Sequence, residues 1–259
     1  MLGRTNNLEH MRIEMEESRE LREIFAPTTR FPFMLKSLSL QVWLLEYSFE
    51  FLRYQTKLKK LIIAPAFDPE QTRYPFLRGG LHPKALPHLG FLGVEQCTHL
   101  DLMKNRPVTA VQIYYNPVDI QILPLFATRL SQGSVPLEHL YIDMLSPPKE
   151  LNTILAQFFS VISFCRVSLV ALKLRIYAVN GFIEEAEDST PYVDRVALQG
   201  CLATYPALRC FWLLDGNNPN SDPPSSDPPT PPDLTEIKTW KESCPHLKEI
   251  NIFGVKLVG

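Results

Sequence analysis

The chain has 259 residues, of which 45% are hydrophobic and 21% charged, and its formal charge at pH 7 is -2. This composition is typical of a globular protein that can bury a sizeable core. The nearly balanced charge and the lack of any block of lysine and arginine argue against a nucleic-acid partner.

The five cysteines are odd in number and have no CxxC spacing, so they indicate neither a disulfide framework nor a zinc cluster. We expect reduced, buried thiols. The segment from Met1 to Glu20 lacks the apolar core of a secretion signal, and the most apolar stretch, Ile154 to Cys165, is too short to span a bilayer. We therefore expect no membrane partner and a cytoplasmic or nuclear location.

One phrase, apolar-x-x-apolar-x-apolar, recurs along the whole chain. Chance alone would produce several matches, so the context of each copy matters. Prolines precede six copies, and proline there stops a helix and favours extended backbone. The copies begin at Leu8, Leu35, Leu58, Leu89, Val108, Leu137, Leu169, Leu208 and Leu247. The prolines are Pro32, Pro87, Pro107, Pro136, Pro206 and Pro245.

Segments with helical spacing of apolar residues lie between the copies. They are Leu21 to Phe25, Leu45 to Leu52, Ile120 to Leu130, Leu151 to Ile162 and Leu234 to Trp240. Alternating short strands and helices predict an α/β fold with a parallel sheet. The recurring phrase favours a leucine-rich-repeat solenoid, with a curved sheet of about nine short strands and helices on its convex side. We expect one such domain over residues 1–259.

The segment from Asn217 to Asp233 contains seven prolines and no apolar anchor. It supplies no burial to offset the entropy of ordering, which predicts a disordered, polyproline-II-like loop that is dispensable for folding. Two interpretations stay open, a neutral insertion and a ligand for SH3- or WW-type domains.

Several repeat openings resemble those of leucine-rich-repeat regions in F-box proteins, particularly fungal ones. They are Cys244-Pro245-His246-Leu247-Lys248-Glu249-Ile250, Tyr205-Pro206-Ala207-Leu208 and Arg106-Pro107-Val108-Thr109. The resemblance implies the substrate-recognition part of an SCF-like ubiquitin ligase, in which an N-terminal F-box binds a Skp-type adaptor. The first repeat begins at Leu8 and leaves no room for an F-box, so we expect that adaptor only if an F-box precedes Met1. A fragment, a partial gene model and a stand-alone repeat scaffold stay open.

In such a strand the apolar positions point into the core, and the residues between and just after them point to the concave face. Aromatic and charged residues gather there, which is the composition of an interaction hot spot. The predicted partner-binding residues are Phe91, Tyr114, His139, Tyr141, Lys173, Arg175, Trp212 and Phe253. The alternative is that the aromatics only shield the sheet or contact a neighbouring loop.

No catalytic motif occurs in the sequence: there is no HExxH, no GxSxG and no phosphate-binding glycine loop. His10 and His139 share one repeat position and predict a polar surface, while His82, His88, His99 and His246 fall in predicted loops or lead-ins. We expect a non-enzymatic monomer that binds an unidentified protein, with no catalytic, metal or cofactor site. An enzyme is the competing hypothesis, and it would need a deep polar pocket.

Overall fold

In a computed structural model of the protein, the chain forms two compact units, which we call the first and second units. The first unit takes Met1–Tyr114 and Gln132–Pro136, and the second takes Tyr115–Ser131 and Leu137–Gly259. The structure describes residues 8–13, 31–41, 48–64, 81–82, 84–95, 97–114, 123–146, 150–178, 193–216 and 237–259. The predicted helix at Leu21 to Phe25 and the proline-rich segment from Asn217 to Asp233 lie outside the described residues.

The first unit contains a parallel sheet in which each strand pairs with the next one along the chain. The strands are β1 (His10–Arg12), β2 (Ser37–Gln41), β3 (Lys60–Ala64), β4 (Phe91–Val94) and β5 (Ala110–Tyr114). The connections include helix α1 (Phe49–Tyr54) and a 3₁₀ helix (Cys97–Met103).

The second unit follows the same plan with longer helices. Its parallel strands are β6 (His139–Ser146), β7 (Ala171–Ala178), β8 (Cys210–Asp215) and β9 (Glu249–Ile252), and β10 (Val255–Val258) pairs antiparallel with β9. The helices are α2 (Leu123–Leu130), α3 (Leu151–Val161), α4 (Arg195–Ala203) and α5 (Ile237–Ser243), and a 3₁₀ helix (Ile162–Cys165) follows α3.

Each of the nine copies of the phrase coincides with one of the strands β1 to β9. In the eight copies from Leu35 onward, all three apolar side chains are at most 4% exposed, whereas Leu8, Met11 and Ile13 of the first copy are half-buried. Neighbouring copies pair in register, so that Leu140 lies beside Leu172. The α/β class and the parallel strands are therefore confirmed; the single domain over residues 1–259 stays a prediction.

Three of the six prolines lie in the same kind of turn before a strand. The amide of Leu89 donates to the Leu86 carbonyl, that of Leu208 to Tyr205, and that of Leu247 to Cys244. Pro87, Pro206 and Pro245 occupy the second position of these turns, where the fixed φ of proline fits. Each turn carries the chain into the first buried position of the strand.

Three details differ from the sequence expectations. Helix α4 lies in a stretch where no helix is predicted. The side chain of Gln41 occupies a predicted outward position at the end of β2 but is only 2% exposed. Strand β10 is absent from the prediction because it follows a two-residue turn, Phe253-Gly254, rather than the repeat phrase. Both turn residues have positive φ, 49° and 90°, which the glycine tolerates without strain.

The cysteines are all free, as expected, but only Cys165 and Cys244 are buried. Burial raises the pKa of the Cys165 thiol to about 12, and this thiol donates a hydrogen bond to the Ile162 carbonyl at 3.0 Å. Cys97, Cys201 and Cys210 are half-buried, because they lie on outward positions of a strand or on helix surfaces.

A buried guanidinium in the first unit joins two backbone segments, residues 81–85 and 102–104. Arg106 is 3% exposed and has no carboxylate partner among the described residues. Its nitrogens donate to five backbone carbonyls, at 2.8–3.2 Å, in Leu81, His82, Ala85, Leu102 and Lys104. One side chain thus satisfies the buried carbonyls of Ala85 and Leu102 and three part-buried ones.

The strand register predicts unequal costs for two neighbouring truncations. Leu140→Ala should lower the free energy of unfolding by about 2 to 5 kcal/mol, because Leu140 is fully buried. Tyr141→Ala should cost less than about 1.5 kcal/mol, since its side chain is half-exposed. Urea denaturation measures both values, and equal losses would contradict the assignment of inward and outward positions.

The hydrogen bonds of Arg106 predict that replacing this residue lowers the free energy of unfolding substantially. Arg106→Met keeps the apolar stem but removes five hydrogen bonds, two of them buried, and we expect a loss of about 3 kcal/mol of unfolding free energy. The matched control is Lys104→Met, which breaks only the exposed pair with Asp101 at 3.1 Å and should cost less than about 1 kcal/mol. Similar small losses in both variants would show that water replaces the guanidinium.

Candidate partner-binding face

The outward side chains of β6 to β9 form a surface in the second unit that we call the second-unit face. The strand register arranges them in rows across the sheet. The first row is His139, Ala171, Cys210 and Glu249; the second is Tyr141, Lys173, Trp212 and Asn251; the third is Asp143, Arg175 and Leu214. All of these side chains are half-buried except Ala171, which is 4% exposed.

Trp212 is held in place by a carboxylate on the next strand. Its indole Nε1 donates to Glu249 Oε1 at 2.8 Å, and the Nζ of Lys256 on β10 lies 3.0 Å from the same oxygen. The hydrogen bond from Trp212, followed by the contact with Lys256, lowers the pKa of Glu249 against the opposing effect of desolvation. The indole is therefore fixed, with its remaining surface half-exposed, before any partner arrives.

The second carboxylate of the face is also engaged. Asp143 Oδ2 lies 3.6 Å from Arg175 Nη1 on the adjacent strand. Desolvation raises the pKa of Asp143, and the charges of Arg175 and Lys173 only partly oppose it. A half-buried carboxylate in this setting is stabilised by its cationic neighbours, which orient it across β6 and β7.

Tyr141 and Cys210, two further polar residues of this face, are poor nucleophiles. Desolvation raises the pKa of Tyr141, and the electrostatic effect of Cys210 raises it further, so the phenol stays neutral. Desolvation and then Glu249 raise the pKa of Cys210, which keeps its thiol protonated and unreactive near neutral pH. The Nδ1 atom of His139 is buried and has no hydrogen-bond partner among the described residues.

The predicted binding residues are divided between the two units. His139, Tyr141, Lys173, Arg175 and Trp212 come together on the second-unit face, and Phe253 follows β9 in the turn to β10. Phe91 belongs to the first unit, where the Nζ of Lys60 on β3 lies 4.8 Å from its ring centroid. The side chain of Tyr114 lies outside the described residues.

Three charged residues beside this face are absent from the sequence prediction. Lys256 lies on β10, while Arg209 and Lys248 precede β8 and β9 and are exposed. The dipeptide Phe253-Gly254 after an apolar strand is the signal that could reveal β10. Arg209 and Lys248 could be recognised in the sequence, because each directly follows the first apolar position of its repeat.

Among the described residues, no group of three or more His, Cys, Asp or Glu side chains is arranged to hold a metal ion. No helix in the described ranges is long and apolar enough to cross a membrane. His99, predicted in a loop, instead lies in the 3₁₀ helix Cys97–Met103 and is 4% exposed. Its Nδ1 atom has no partner within the described part of the chain, and desolvation lowers its pKa from 6.5 to about 4.

No protein-family model, no curated protein and no solved structure matches this chain. The functional proposal therefore rests on the geometry of the second-unit face.

Burial of His99 predicts a loss of stability in mild acid. The unfolded chain takes up a proton near pH 6.5, but the folded state resists protonation until about pH 4. Between these values the unfolded state binds more protons, so stability falls with falling pH, by up to roughly 3 kcal/mol from this group.

Urea denaturation from pH 7 to pH 4 measures this contribution. His99→Gln should flatten the dependence of unfolding free energy on pH, whatever its effect on stability at pH 7. The exposed control His246→Gln should keep the wild-type slope. An unchanged slope in His99→Gln would mean that water reaches His99 in the folded protein.

Proposed function

We propose that the protein is a non-enzymatic leucine-rich-repeat module that binds a protein partner on its second-unit face. The observation that carries the proposal is the fixed, half-exposed indole of Trp212, which lies in one row with Lys173 and Tyr141. Large, rigid aromatic side chains next to charged ones are typical of interaction hot spots, because they bury much area with little loss of entropy.

Repetition of the backbone pattern supports the leucine-rich-repeat assignment. Before β3, β4, β5, β7, β8 and β9, one carbonyl of the preceding repeat accepts hydrogen bonds from two successive amides. Lys36, for example, accepts from Lys59 and Lys60, and Val170 accepts from Arg209 and Cys210. Each repeat thus enters the sheet in the same way, as expected when copies of one unit stack along an axis.

An enzyme would need titratable groups that converge with an accessible nucleophile or base. On the second-unit face, Asp143 and Glu249 are each paired with cations of neighbouring strands, and the pKa of the Cys210 thiol is raised. These features favour a binding role for the face.

The resemblance to F-box proteins would make the partner a substrate of an SCF-like ubiquitin ligase. No contact of the described residues bears on that role, so it stays a prediction beside that of a stand-alone scaffold. Co-purification with a Skp-type adaptor would support the ligase role.

The proposal predicts that the aromatic side chains act as anchors. Tyr141→Ala and Trp212→Ala should each weaken the binding of a partner recovered by the wild-type chain by at least about 2 kcal/mol. Calorimetry with the purified partner measures the loss. The matched control is Phe164→Ala in the 3₁₀ helix Ile162–Cys165, where the ring is 38% exposed away from the sheet, and this variant should bind normally.

Thermal unfolding of the same variants verifies that they are folded. If binding survives both substitutions in the sheet but disappears when residues 217–233 are deleted, the proline-rich segment is the recognition element and the face is only a scaffold.

A further inference from the structure

The carboxylates of the second-unit face are already paired with cations, whereas two cations beside the face are not. Glu249 is engaged by Trp212 and Lys256, and Asp143 is engaged by Arg175. Arg209 and Lys248, by contrast, are exposed and make no ion pair with any described residue. At β8 and β9 a partner therefore meets unpaired positive charge and no unpaired carboxylate, whereas the exposed carboxylate of Glu138 lies before β6.

The two unpaired cations lie side by side. The amide of Lys248 donates to the Arg209 carbonyl at 2.7 Å, and the residues after them, Cys210 and Glu249, are register partners. Like charges at opposed positions of neighbouring strands destabilise a sheet unless a counter-charge is present. The equivalent positions before β6 and β7 are Glu138 and Val170, so this basic pair is confined to β8 and β9.

The electrostatics at Cys210 place the basic pair close to the aromatic anchor. Desolvation and the charge of Glu249 raise the pKa of Cys210, while Lys248, Arg209 and Lys256 lower it. Three cations and one carboxylate thus act on a thiol that immediately precedes Phe211 and Trp212 in β8. The local charge is positive, and the only carboxylate in that set is the one that holds the indole.

The spacing fits one short segment of a partner chain. Arg209 immediately precedes β8 and borders the end of the face, with its backbone roughly 10 Å from that of Trp212. A few residues of extended peptide span that distance. The row next to that of Trp212 carries the small side chains of Ala171 and Cys210, which leave room beside the indole for a side chain of the partner.

We propose that the second-unit face binds an acidic peptide segment, with its carboxylates at Arg209 and Lys248 and an apolar side chain against Trp212. This inference rests on the proposed function of the same face and adds the chemistry of the partner. The basic pair supplies orientation and association rate, and the indole supplies buried area.

A random peptide library selected on the full-length chain tests the inference. Acidic residues should be enriched among the selected peptides relative to the starting library. A selected peptide and its amide counterpart, with Asp and Glu replaced by Asn and Gln, are then compared by fluorescence anisotropy. The amide counterpart should bind at least tenfold more weakly, and the affinity of the acidic peptide should fall as salt is raised.

Substitutions in the chain locate the site. The double variant Arg209→Gln/Lys248→Gln should lose at least tenfold in affinity for the acidic peptide and lose most of the difference between the acidic and amide forms. The matched control is Lys238→Gln, which removes an exposed cation from α5 and should leave binding unchanged. Trp212→Ala should lower the affinity for the acidic peptide and for its amide counterpart by a similar factor.

The outcomes separate the inference from the proposed function. Peptides that depend on Trp212 but show no acidic enrichment, or bind the double variant normally, overturn the acidic partner and leave the binding face intact. If the selected peptides bind equally well to the Trp212→Ala variant and to the double variant, both the acidic-peptide inference and the proposed function are overturned. A single-stranded oligonucleotide that displaces the peptide and depends equally on Arg209 and Lys248 overturns the acidic-peptide inference in favour of a general anion site.

Discussion

The in-register burial of three apolar side chains per repeat is the constraint on which the described structure depends. In the second unit, Leu140, Leu172, Phe211 and Ile250 form one row across four parallel strands, and each is at most 1% exposed. A slip of one residue in any strand would turn its apolar side chains outward and its polar ones inward. The register of the sheet is therefore fixed by the core, and the composition of the outer face is free to vary.

The outward positions of the strands carry different kinds of side chain in the two units. The outward positions of β2 to β5 carry mostly small or aliphatic side chains, among them Ser37, Ser39, Ile62, Gly93 and Ala110. The outward positions of β6 to β9 carry larger aromatic and charged ones, with Tyr141, Lys173, Arg175 and Trp212 among them. Large side chains offer more area and more directional contacts to a partner, which is why the proposed binding role is assigned to the second unit.

The nine parallel strands could be predicted from sequence because one repeated phrase encodes both the buried positions and the strand spacing. Features that depend on one local turn or on the tertiary surroundings could not be predicted in this way. Strand β10 follows one turn at Phe253-Gly254, and burial of Gln41 depends on tertiary surroundings rather than on its own strand. Arg106 precedes a proline like any exposed lead-in residue, and only the fold brings five backbone carbonyls to its guanidinium. Outward side chains could be predicted, but not their pairing with charges such as Lys256.

The pairing of charges also explains why the outer face can be selective without being strongly charged. Glu249 is stabilised by Trp212 and Lys256, and it fixes the indole in return, so this carboxylate serves the anchor rather than the partner. Asp143 similarly orients Arg175. At β8 and β9, a basic partner would have to compete with these internal cations, whereas an acidic one would meet Arg209 and Lys248 without displacing any described contact. Under the acidic-peptide proposal, internal pairing would thus disfavour basic partners at these strands.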